Sequence, residues 1–143
     1  MSDFKACFPL LDDSNHRLTS PSTSDYNCIA WAAEEDDRWW WPSPIGLGYW
    51  PPSVPRVESC DAFLRAFETL GYVQCDNSEL EDGFVKVALY VSDAGKPTHM
   101  ARQLTDGTWT SKLGQSNDIN HITAEVIWGP AYGNVGFFLK KEK

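Results

Sequence analysis

From Phe84 to Ser92 the aliphatic residues Val85, Val87, Leu89 and Val91 recur at every second position. A period of two marks a strand that presents one side to a core. Two further strand-like runs follow closely, Thr98–Leu104 and Thr108–Leu113, separated by Thr105-Asp106-Gly107. The Asp-Gly pair supplies the backbone freedom that a tight hairpin needs. If Thr105 and Thr108 pair across it, Ala101 faces Lys112 and His99 faces Gly114. An alternating strand that leads into a hairpin commits this part of the chain to an antiparallel sheet. A last strand is expected at Val135–Lys140, a short one at Tyr72–Cys75, and a short helix or turn at Asn117–Ile122.

The first half reads differently. Residues 1–25 are polar and turn-rich, an extended lead-in with little regular structure. Cys28–Asp36 reads as a short helix, capped by Ser24, Asp25 or Asn27, with Ile29, Ala32 and Ala33 turned inward. Ser59–Leu70 reads as a second helix, with Ser59 as N-cap, an apolar stripe of Phe63, Leu64, Phe67 and Leu70, and Gly71 as its stop. Between them, residues 39–55 hold four of the seven Trp and five of the nine Pro. Such a run cannot be a regular helix or a central strand, so it is expected as an ordered aromatic loop packed over the domain. Helices first and antiparallel strands afterwards describe a single α+β domain over 1–143.

Composition narrows the function classes. Twenty acidic residues against 12 basic ones leave a net charge of −8, which repels phosphate backbones and anionic membrane surfaces. Neither nucleic acid nor membrane is therefore an expected partner; a peptide or protein is. No apolar run reaches the length of a membrane span, and the N-terminus lacks the pattern of a Sec signal, which points to the cytoplasm or to export by a non-Sec route. The four cysteines have neither zinc-site spacing nor the density of a secreted scaffold, so no metal and no cofactor are expected.

Cys28 stands in the first turn of a helix, where the helix dipole favours a thiolate, and His99 stands near the start of a central strand. A thiol on a helix facing an imidazole on a sheet is what a Cys-His nucleophile pair requires. The blocks Tyr26-Asn27-Cys28-Ile29-Ala30-Trp31-Ala32, Trp39-Trp40-Trp41-Pro42, Pro97–Leu104 and Gly107–Gly114, with His121 and Tyr132-Gly133, resemble an uncharacterised bacterial family. The His-strand, Ser-Lys-Leu-Gly and Tyr-Gly blocks also resemble NlpC/P60-type peptidase and papain-fold toxin domains. That resemblance implies a papain-like (NlpC/P60-like) α+β fold, with N-terminal helices packed on an antiparallel sheet. It also implies Cys28 as nucleophile and His99 as its base.

A third group usually orients the histidine. In the register above no carboxylate shares the His99 face. Asp118 is the chemically best orienter, and Ser111 comes next if one bulge shifts the strand. The Cys28 N–H with Tyr26 or Asn27 could form an oxyanion hole, while Trp31 and Lys112 are candidates for holding substrate. The leading expectation is a cysteine hydrolase (peptidase, amidase or deamidase) working through a thioester. The competing one is a non-catalytic binding or immunity-type module, in which Cys28 is a small packing residue and His99 a satisfied core histidine. A metal site from Cys28, His99 and His121 ranks last, because the spacing fits no ligand pattern. The acidic run Glu34–Asp37 reads as a solvated helix end.

Overall fold

Both helices begin where a polar side chain caps them. The structure, a computed structural model, describes residues 8–12, 14–20, 25–113 and 118–143. Helix α1 (Cys28–Ala32) is capped by Asn27, whose Oδ1 accepts from the Ala30 N–H at 3.1 Å. It ends at Ala33, and Glu34 takes a φ of +67°, outside the right-handed helical region. It therefore stops at Ala32 rather than at Asp36. Helix α2 (Cys60–Glu68) is capped by Ser59 Oγ, which accepts from the Ala62 N–H at 3.1 Å. It buries Ala62, Phe63, Ala66 and Phe67, and Gly71, at φ +99°, turns the chain away.

The strands are β1 (His16–Leu18), β2 (Val73–Cys75), β3 (Phe84–Val91), β4 (Pro97–Gln103), β5 (Trp109–Lys112), β6 (Asp118–His121) and β7 (Asn134–Glu142). They form one seven-stranded sheet in the order β1-β6-β5-β4-β3-β7-β2, with every neighbouring pair antiparallel. A 3₁₀ turn at Ala124–Ile127 lies between β6 and β7. Among the described residues no helix is long and apolar enough to cross a membrane.

This corrects the expected architecture. The fold is not α+β of the papain-like (NlpC/P60-like) type with N-terminal helices packed on an antiparallel sheet; it is mainly β, a seven-stranded sheet with two short helices. The reasons are local at the helices and long-range at the strands. Glu34 cuts the first helix short, and the Trp- and Pro-rich loop prevents another from forming before Ser59. Two segments that look non-regular in isolation become strands by pairing with each other. Residues 16–18 of the lead-in are β1, and residues 118–121 are β6 rather than a helix or turn. Asn117 lies outside the described residues.

Paired residues in an antiparallel sheet share a face. Leu89 pairs with Met100 and Val87 with Leu139; these side chains pack beneath α1, α2, Trp40 and Trp50 in one core. Ala88, Tyr90, Ala101, Trp109 and Ile119 point the other way and form a second core with Phe8, Leu11 and the 3₁₀ turn. The Trp- and Pro-rich loop covers the first core as expected. Trp40 is 1% exposed, and the Trp50 and Trp41 rings lie 5.1 and 5.4 Å from that of Phe63.

The hairpin between β4 and β5 positions everything that follows. Leu104 N donates to Thr108 O at 2.7 Å, so the loop is the three residues Thr105–Gly107, with Gly107 at φ +88°. Arg102 then pairs with Thr110. By continuation Ala101 stands opposite Ser111, one residue from the register a Thr105–Thr108 pair would impose. This shift moves Ser111 onto the face of His99 and Lys112 onto the other.

Candidate active site

Cys28 opens α1, with 8% of its surface exposed, on the face of the sheet that carries both helices. The β4–β5 ladder ends at Arg102–Thr110. The next N–H that would have continued it, that of Met100, lies at the Cys28 thiol instead. Burial pushes the thiol up to about 11. Hydrogen bonds from the Met100, Ile29 and Cys28 N–H groups, together with the positive charge of Lys112, pull the other way. In this state Cys28 is a neutral thiol.

His99 pairs with Tyr90 and so projects from the opposite face, where it is fully buried. Its Nε2 lies 3.0 Å from Ser111 Oγ, which lies 2.8 Å from His121 Nε2; His121 Nδ1 lies 2.8 Å from the Thr123 carbonyl. A carbonyl only accepts, so His121 carries its proton on Nδ1 and accepts at Nε2. Ser111 therefore donates to His121, and His99 Nε2 donates to Ser111. This leaves His99 Nδ1 as a bare lone pair. It is buried and has no hydrogen-bond partner, Cys28 included. Burial holds His99 well below the usual imidazole range, with the nearby His121 adding to the effect; burial brings His121 to about 4. Both rings are neutral at pH 7. Cys28 and His99 thus flank the same stretch of β4 from opposite faces and do not touch.

The remaining candidates separate the same way. Asp118 is not at His99: it stands opposite Lys112 on the Cys28 face and accepts a hydrogen bond from the Tyr26 hydroxyl. Burial, and then that bond, push the Tyr26 hydroxyl up to about 12. Ser111, not Asp118, is the group at the histidine. Lys112 is fully buried, its Nζ 5.4 Å from the Tyr26 ring centre. Burial lowers its pKa, against the pull of Asp118 and Cys28.

Asn27 is a pin. Its Oδ1 accepts from Trp40 N at 3.1 Å, and its Nδ2 donates to Trp40 O at 2.8 Å. Asn27 and Tyr26 are both engaged, and the backbone N–H of Cys28 lies at its own thiol, so each of the expected oxyanion donors already has a partner. Trp31 lies under Arg102, and its Nε1 donates to Thr110 Oγ1 at 2.9 Å. Among the described residues no three His, Cys, Asp or Glu side chains group closely enough to hold a metal ion.

A cavity of about 590 Å³ opens at Cys28 and runs to Trp39, Trp41, Leu47, Thr98 and Tyr132. Tyr132 is also stacked on His99, ring centres 3.9 Å apart and planes 11° from parallel, so one residue borders both the cavity and the buried imidazole. Its place is set by Gly133, at φ +77°, where a Cβ would come within 2.2 Å of Val91 O. Thr98 Oγ1 donates to Tyr132 O at 2.5 Å. Tyr132, Thr98 and His121 were the members of the site not foreseen as such. The Tyr-Gly pair was a visible signal for the first, whereas the relay through His121 depends on a pairing between distant strands.

Similarity covers the site and most of the sheet: residues 17–140 match a domain of unknown function, DUF7689. The chain belongs to the DUF7689 family. No curated protein and no solved structure matches it. Within this DUF7689 domain the match includes Cys28, His99, Ser111, His121 and Tyr132.

Proposed function

We propose that this chain is a cysteine-dependent hydrolase acting on a peptide, amide or glutamine-type carbonyl. The observation that carries the reading is His99. Its Nε2 is committed to a Ser111–His121 relay, while its Nδ1 is a buried lone pair without a partner. An unpaired buried acceptor costs about 1–3 kcal/mol, and such groups call for a use. A neutral base with a fixed tautomer, one residue along the strand from the N–H that holds a protonated thiol, supports general-base activation of Cys28.

In the reaction, Cys28 Sγ attacks the carbonyl carbon and its proton passes to His99 Nδ1. That proton goes on to the leaving amine as the C–N bond breaks, leaving a thioester. Water attacks the thioester through the same base, releases the acid and restores the thiol. Because Cys28 and His99 project from opposite faces of β4, the transfer has to run round the end of the strand, where Tyr132 borders both the cavity and the imidazole.

The test is the alkylation rate of each cysteine against pH, read by mass spectrometry, with Cys60 and Cys75 as internal references. A base-assisted Cys28 reaches a plateau by about pH 7, and His99→Gln replaces the plateau with a climb of about tenfold per unit toward the thiol's own pKa. A climb in both proteins overturns the hydrolase. A second reading, a non-catalytic binding module, is favoured by the separation of thiol and imidazole on opposite faces, and that outcome would leave it standing.

A further inference from the structure

We infer that the Cys28 cavity takes an uncharged aromatic side chain and excludes charged ones, which makes the substrate of the proposed hydrolase a carbonyl beside such a group. The inference rests on that reading for the chemistry but not for the binding. A surface with net charge −8 surrounds a cavity whose described walls carry no charged side chain. Its largest elements are the Trp39, Trp41 and Tyr132 rings, against which a flat ring stacks in offset or edge-on geometry. Two of its polar side chains are already engaged: Asn27 holds Trp40 and Ala30, and the Thr98 hydroxyl holds Tyr132 O and, at 3.2 Å, Tyr90 O. A charged ligand would lose its water there and meet no charged side chain on the described walls. At about 590 Å³ the space holds an aromatic side chain together with its flanking amides. The apolar character continues outward, because Leu47 on the wall is itself 66% exposed to solvent.

The experiment titrates the intact protein with N-acetylphenylalanine amide and with N-acetylglutamate amide, following backbone amide signals by NMR. The phenylalanine compound should bind at least about tenfold tighter and shift Gly48 and Thr98. Leu47→Glu, at an exposed position the fold tolerates, should weaken it about tenfold with an unchanged melting temperature. Equal binding of both compounds, shifts that map elsewhere, or indifference to Leu47→Glu would overturn the inference. Selective aromatic binding combined with a His99-independent Cys28 profile would sink the hydrolase and keep the cavity assignment. Charge-indifferent binding with a base-assisted profile would do the reverse.

Discussion

The two faces of the β4–β5–β6 region hold their buried polar groups in opposite ways. On the helix side, Lys112 and Asp118 face each other across a strand pair, with Tyr26 and Cys28 beside them, so that face is ionic. On the other side, His99, Ser111 and His121 form a neutral series that ends on a carbonyl. Strands β5 and β6 each contribute to both sets by simple alternation. A one-residue slip of β5 would exchange them, placing Lys112 with His99 and Ser111 beneath Cys28. The three-residue turn at Thr105–Gly107 therefore determines which chemistry meets which face.

The comparison can be broken most strongly on the ionic side. Lys112→Met should cost about 4 kcal/mol in urea unfolding, because it removes the cation standing opposite the buried Asp118, and Lys112→Met with Asp118→Asn should recover most of that. If the single variant melts like the wild type, the face is not ionic in any useful sense.

Acid separates the faces next. The unfolded chain protonates His121 near 6.5, but the folded one does so only at about 4. The unfolded state thus binds more protons between these values, and stability is full above about 6.5 and falls as the pH drops toward 4. For His121 alone the loss is about 3 kcal/mol, and His121→Gln should flatten that part of the stability profile. The smallest effect is expected from Ser111→Ala. It leaves His99 Nε2 and His121 Nε2 facing each other without a bridge, at about 2 kcal/mol. Stability unchanged by Ser111→Ala would show that the relay holds nothing.

Much of this was legible from local chemistry. Ser59 and Gly71 bracket α2 as a cap and a stop should, and the period-two run over Val85–Val91 is a strand whose aliphatic side faces the helices. The thiol at a helix start and the histidine on a central strand were visible for the same reason. What failed was long-range or off by one. Reading Asp-Gly as a two-residue turn put Lys112 where Ser111 belongs, and only the hydrogen bond from Leu104 to Thr108 corrects it. Asp118 looked like the orienter by chemistry, yet alternation turns it to the Tyr26 side. The α+β assignment failed because His16–Leu18 and Asp118–His121 show no strand pattern alone. Each becomes a strand by pairing with the other, about a hundred positions away in sequence.

That pairing has a consequence for the edges of the sheet. Both rims of the sheet are closed by three-residue strands, β1 and β2, and so short a rim is a poor template for another polypeptide. Remove His16–Leu18 and the rim becomes β6, which carries His121 and pairs with the strand of Ser111. The short strand β1 thus covers the backbone edge of the strand that carries one end of the histidine relay.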